Sequence, residues 1–189
     1  MRHTKITFSV LICCFILCGS FGFSEEFSIP KAKKIDHFLR RVAKAKKTKV
    51  FLRRGTFDES ELNSYLNMIY AKRYAPEIKY MKLKLGRKNH VSGTMKVKLL
   101  GKKYEEVPSF LRDFDIEFSG EVECDKYRMR YLFDSIKING TKFSPEILDE
   151  AFSATQGKVK IKKSLFDWFN FLPGIKKVEI DLKKITFFY

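Results

Sequence analysis

Residues 113 to 133, DFDIEFSGEVECDKYRMRYLF, alternate apolar and polar side chains one by one, and few local structures satisfy that pattern. Phe114, Ile116, Phe118, Gly120, Val122 and Cys124 share one parity; Asp113, Asp115, Glu117, Ser119, Glu121, Glu123 and Asp125 share the other. Successive side chains of a β-strand point to opposite faces, so this stretch reads as a strand with one buried and one wet face. A second arm follows, with Tyr127, Met129, Tyr131 and Phe133 on the apolar side and Lys126, Arg128 and Arg130 on the polar side. Pairing Cys124 with Tyr127 sets Glu123 opposite Arg128, Glu121 opposite Arg130, Val122 opposite Met129 and Phe118 opposite Phe133, so both faces agree on one register. An antiparallel sheet with one apolar face must be covered by a helix, a second sheet or a ligand.

The neighbouring segments supply such partners. Residues 78 to 85 and 91 to 100 read as another hairpin, turning at Gly86 to His90, with Met81, Leu83, Leu85, Val91, Met95, Val97 and Leu99 inward. Ahead of it, Val50 to Leu52 read as an extended lead-in, and Asp58 with Glu61 forms a capping box in which Phe57 can staple against Leu62. Leu62, Tyr65, Leu66 and Ile69 continue as one helical face until Pro76 stops it near Ala75. From Lys31 to Lys47, Ile35, Phe38, Leu39, Val42 and Ala43 form the apolar stripe of a second, strongly basic helix. After Phe133 the apolar parity switches to Ile136 and Ile138, which a bulge near Asp134 and Ser135 explains. Asn139-Gly140 marks a turn, and Ser144-Pro145 opens a short helix through Ile147, Leu148, Ala151 and Phe152. Residues 158 to 163 and 176 to 188 read as closing strands around the Pro173-Gly174 turn. The chain is therefore α+β: a curved antiparallel β-sheet meander wrapped around or covered by one long helix, with short helices besides.

The amino end has the three-part layout of a signal peptide: basic MRHTK, apolar ITFSVLICCFILCG, then small and turn-forming residues. Its apolar run, Ile6 to Gly19, is fourteen residues, whereas a membrane-spanning helix needs about 20. The expected layout is a signal peptide at 1–24, a basic amphipathic leader helix at 25–49 and one α+β domain at 50–189. That implies an extracytoplasmic protein, periplasmic or secreted. Only Cys124 lies outside the signal, so the mature chain cannot form an internal disulfide.

The formal net charge is +16 over the full chain. Without residues 1–24 it is +14, from 36 basic and 22 acidic side chains. Residues 25–56 contribute 11 basic and 3 acidic, whereas 111–189 are nearly balanced at 14 and 13. Lys33, Lys34, Arg40, Arg41, Lys44, Lys46, Lys47, Arg53 and Arg54 are thus the candidate basic surface. Outside the cytoplasm such a surface suits a lipid or anionic membrane surface or an envelope protein partner, rather than nucleic acid; plain solubility is the bland alternative.

Catalytic motifs are sparse. His37 and His90 sit in different elements, outside any metal-ligand or nucleophile-base spacing, and acidic pairs such as Glu121 and Glu123 face arginines. The expectation is a protein that is not an enzyme, with no catalytic residues, cofactor or metal. The unusual feature is the inner face, where Met81, Met95, Met129, Phe114, Phe118, Tyr127, Tyr131 and Phe133, with Val97 and Ile116, make a soft aromatic-rich surface backed by the helix from 58. Such a face is either an ordinary core or a site where helix and sheet part to admit acyl chains, with cations at the rim.

FDESELNSYL opening a helix, a long antiparallel meander, and Leu172-Pro173-Gly174-Ile175 leading into an alternating last strand together resemble extracytoplasmic lipid-binding proteins of the LmeA and YceB type. The resemblance covers residues 50 to 188 in element order. It implies a half-sized relative of the tubular lipid-binding fold, phospholipid or related lipid as ligand, and Leu62, Tyr65, Leu66 and Ile69 lining the cavity. The basic leader at 31 to 54 departs from that family's pattern.

Overall fold

The computed structural model describes residues 27–44, 53–99, 112–125, 127–155, 164 and 166–189. The signal segment, Lys46, Lys47, the 50–52 lead-in and the strand expected at 158–163 lie outside these residues. The elements run α1 (Ile29–Lys44), β1 (Arg54–Asp58), α2 (Glu59–Tyr65), a π-helical turn (Leu66–Tyr70), α3 (Ala71–Tyr74), β2 (Ile78–Leu85), β3 (His90–Lys98), β4 (Asp113–Asp125), β5 (Arg128–Ile138), β6 (Thr141–Phe143), α4 (Pro145–Thr155), β7 (Phe169–Asn170), β8 (Lys177–Asp181) and β9 (Lys184–Phe188). The fold is α+β, and its strands form antiparallel pairs in two sheets, β2-β3-β4-β5-β6 with β7 also on β5, and β1-β9-β8.

The alternation that opens the sequence reading does form the centre of the larger sheet, with β4 between β3 and β5. Its register differs from the expected one by two residues. Cys124 pairs with Met129, Glu123 with Arg130, Val122 with Tyr131 and Gly120 with Phe133. The chain reverses between Asp125 and Arg128, with Tyr127 at φ 74°, so Tyr127 leaves the strand face and is 58% exposed. A shift of two preserves parity, and opposite charges still meet: Arg130 Nε donates to Glu123 Oε2 at 2.6 Å. The pairing jumps from Gly120–Phe133 to Ser119–Ser135, leaving Asp134 as the extra residue. This is the expected bulge, and it turns Ile136 inward, fully buried.

The long covering helix is not seen. Among the described residues the longest helix is α1, at 16 residues, while the run after Asp58 is divided into α2, the π-helical turn and α3. Its start follows the sequence: Asp58 accepts from the Glu61 N–H at 2.7 Å, and Glu61 accepts from the Asp58 N–H at 3.0 Å. Asp58→Ala removes one half of this box and is expected to cost about 1 kcal/mol in urea unfolding; an unchanged midpoint would contradict the cap.

This helical run seals a sheet edge. Asn63 Oδ1 accepts from the Leu83 N–H at 2.7 Å, and its Nδ2 donates to the Leu83 carbonyl at 3.1 Å. One turn on, Asn67 accepts from Met81 N–H at 2.8 Å and donates to the Met81 carbonyl. Glu59 accepts from Leu85 N–H at 2.7 Å. Spaced by four, these side chains lie on one helical face and meet the outward backbone groups of alternate β2 residues, standing in for a missing strand.

The smaller sheet carries the second layer. Residues 176–188, expected as one strand, fold back at Leu182-Lys183, where Lys183 has φ 60°, and Ile180 pairs with Ile185. Asn89 joins the sheets: its N–H donates to Ile180 O at 3.1 Å, its side chain accepts from Ile180 N–H at 2.8 Å, and its carbonyl accepts from Val122 N–H at 2.9 Å. α1 lies across this arrangement with Ala32, Ile35, Phe38 and Val42 buried and Ala43 exposed. Phe38 rests on Gly55, where a Cβ would stand 2.3 Å from the ring, and makes edge contacts with Phe57 and Tyr189. Ile35, Phe38 and Val42 join the same hydrophobic cluster as the sheet residues, so the basic helix is built into the domain.

Candidate functional site

The inner-face residues come together, but mainly on one another. Leu62, Leu66, Met81, Met95, Ile116, Phe118 and Tyr131 are buried in one cluster, and Tyr65, Val97, Phe114, Met129 and Phe133 pack partly buried against it. Phe118, Tyr131 and Phe133 form an aromatic triad with ring centres 4.6 to 5.5 Å apart. Tyr131 places its hydroxyl on the Val91 carbonyl at 2.8 Å. Ile69 is half-buried at the rim of an outer groove. Tyr127 stands apart in its turn, exposed.

The basic residues make the more open feature. Burying the apolar stripe of α1 leaves Lys33, Lys34, His37, Arg40, Arg41 and Lys44 on its outer side. Two grooves flank that ridge. One, of about 770 Å³, lies between α1 and β1 and is lined by Lys33, Lys34, His37, Arg41 and Arg54 over Phe38 and Phe57. The other, also about 770 Å³, lies between α1 and the segment Met68 to Arg73, where Lys33, Arg40, Arg41, Lys44, Lys72 and Arg73 surround Ile29, Met68 and Ile69. Arg53 and Arg54 are exposed at the start of β1. Lys72, Arg73 and the exposed Ile29 and Tyr74 were missed as site residues. For Lys72 and Arg73 the signal was the helix end itself, where cations offset the carbonyl dipole.

Charge on the ridge is only partly compensated. Lys34 is paired with Glu61, and Asp36 is shared between Arg40 at 2.7 Å and Arg73 at 3.4 Å. The Tyr74 side chain and the Asp36 carboxylate raise the Arg73 pKa further above its ordinary value, so this guanidinium holds its charge. Among the described residues, Lys33, Arg41, Lys44, Arg54 and Lys72 have no carboxylate partner.

A third groove, between the outer side of β4–β5 and β8, mixes both charges: Lys88, Glu121, Glu123, Arg130, Lys177 and Glu179. At its floor Cys124 is half-buried, and burial pushes its thiol up, partly offset by a hydrogen bond from the Val178 backbone. Among the described residues no group of three His, Cys, Asp or Glu side chains is placed to hold a metal, and no helix is long and apolar enough to cross a membrane. Comparison with known proteins finds no matching family model, and no curated protein or solved structure matches the chain.

Proposed function

We propose that this protein is a non-enzymatic, extracytoplasmic binder of anionic lipid surfaces, which it meets with the cationic ridge of α1 and the walls beside it. The observation that carries this reading is the combination of uncompensated cations along both sides of one helix with the exposed Ile29 and half-buried Met68 and Ile69 on one of those sides. α1 carries six Lys or Arg residues against one carboxylate, and that carboxylate is already engaged by two arginines. Each cation near an anionic leaflet contributes about 1 kcal/mol. Ile29, 53% exposed, and Tyr74 add apolar contact where the headgroups end. An acyl chain held inside the sheet, as the LmeA and YceB resemblance implies, would have to displace side chains such as Met81 and Tyr131 that have no exposed surface. The outer ridge is therefore the better supported place for lipid.

Sedimentation with vesicles tests the proposal, using protein recovered from an exporting host. Vesicles containing phosphatidylglycerol should bind it, and pure phosphatidylcholine should bind far less. Neutralising Arg41 and Lys44 with glutamine should cost about 2 kcal/mol of membrane affinity, roughly thirtyfold. Raising salt to about 0.5 M should release the wild-type chain, because the screening length falls to a few ångströms. Equal binding to both vesicle types, or none, would refute the proposal.

A further inference from the structure

We infer that the protein enters the bilayer with a two-turn apolar tip, Leu172 together with Tyr127, set against the end of the α1 ridge; this rests on the anionic-surface reading above. Leu172 and Tyr127 are 56% and 58% exposed, among the most exposed large apolar side chains described. They belong to different turns, and the backbone fastens those turns together. The Phe171 N–H donates to the Tyr127 carbonyl at 2.8 Å, and the Tyr127 N–H donates to the Lys176 carbonyl at 3.3 Å. Behind them β7 pairs with β5 through Asn170–Arg128 and Phe169–Met129, so the tip rests on sheet backbone.

The tip is also placed relative to the ridge. Gly174, at φ 95°, comes so close to α1 that a Cβ there would stand 2.8 Å from both the side chain and the carbonyl oxygen of Val42. Val42 sits between Arg41 and Lys44 in the last turn of α1. The turn that carries Leu172 thus abuts the C-terminal end of α1, whose last turn bears Arg41 and Lys44. Nearby, the Arg128 and Arg130 guanidiniums, ion-paired with Asp125 and Glu123, lie 4.7 and 4.8 Å from the centre of the Trp168 ring. An exposed leucine and tyrosine, a half-buried tryptophan close by and cations at the adjoining end of α1 are the side-chain types that a membrane interface favours: apolar side chains deepest, aromatic rings at the boundary, charges among the headgroups. Arg128 and Arg130 are neutralised by Asp125 and Glu123, but Lys176, whose carbonyl takes the Tyr127 N–H, and Arg41 and Lys44 at the end of α1 have no carboxylate partner among the described residues. These cations favour an anionic bilayer as occupant over a protein partner or a second copy of the chain.

Trp168 is the only tryptophan in the chain, so its fluorescence reports on the tip. The full exported protein would be mixed with vesicles of phosphatidylglycerol and phosphatidylcholine, with and without brominated acyl chains. The expected result is a blue shift and quenching of Trp168 by the brominated lipid. Leu172→Asp with Tyr127→Asp should abolish that quenching and weaken vesicle binding about tenfold, with the thermal transition unchanged because both side chains are exposed. Sedimentation of the wild type with anionic vesicles but no quenching would overturn the tip while leaving the ridge reading intact. Absence of sedimentation would overturn both. If the double variant instead dissolves a dimer seen by light scattering and still binds vesicles as wild type, the tip covers a second copy and the inference fails.

Discussion

Asn63→Leu is expected to destabilise the fold by about 4 kcal/mol, although the new side chain is apolar and of similar size. Asn63 is 1% exposed, and its amide is the partner of both backbone groups of Leu83. Leucine leaves a buried donor and a buried acceptor unmade, at about 1 to 3 kcal/mol each. Asn67→Leu should cost less, about 2 kcal/mol, because that site is partly open to water. Two measurements check this together: urea unfolding for the energy, and amide exchange for its location. The Leu83 amide should lose protection in Asn63→Leu ahead of the β3–β4 ladder. The variant should also aggregate more readily, since an uncapped β2 presents an open sheet edge. If stability and Leu83 exchange both match the wild type, the side-chain ladder does not close that edge.

Much of the architecture could be read from periodicity, and what could not has identifiable causes. Parity places Ile116, Phe118 and Val122 inward, and all are buried. Parity does not distinguish two registers that differ by two residues. Glu123 finds an arginine in either one, and the choice fell on whether Tyr127 could adopt a positive φ. The same blindness hid the β8–β9 hairpin, because Lys183 takes the left-handed position that glycine or asparagine would have announced. The helix after Asp58 is legible from its capping box and its apolar face. Its polar stripe, Glu59, Asn63 and Asn67, carried the more informative signal, since polar side chains recurring every four residues on a buried helix need partners. Those partners are β2 backbone groups, which no side-chain pattern reveals.

The candidate site was legible to a similar degree. The α1 cations stood out as a charge run, and the apolar stripe at Ile35, Phe38 and Val42 determines which of them face outward. The opposing wall, Lys72 and Arg73, depends on how α1 lies against the π-helical turn, a tertiary fact. The tip is harder still to foresee. Leu172 and Tyr127 are 45 residues apart in sequence, and Tyr127 looked like a strand residue until the register moved it into a turn.

Gly120→Val is expected to cost roughly 3 to 4 kcal/mol, and Gly120→Ala nearly as much. A Cβ at this position would lie 2.1 Å from the Leu132 carbonyl oxygen and 2.9 Å from the Tyr131 ring. The obstacle is backbone of the adjacent strand, held by its own ladder, so relief requires opening β4–β5 beside the Asp134 bulge. Tyr131 is fully buried and cannot swing away without breaking its bond to Val91 and leaving a void among Phe118 and Phe133. Gly140→Ala supplies the contrast. That glycine has φ 79° and nothing within 4 Å of an added Cβ, so its cost is conformational only, about 1 kcal/mol. Chemical unfolding of the three variants, with near-ultraviolet circular dichroism as a probe of the aromatic triad, separates steric from conformational loss. Gly120→Ala should blunt the aromatic signal and shift the midpoint well beyond Gly140→Ala. Equal shifts would mean that β4 and β5 do not approach as closely at the bulge as the structure has them, and that the tip they carry is less firmly held.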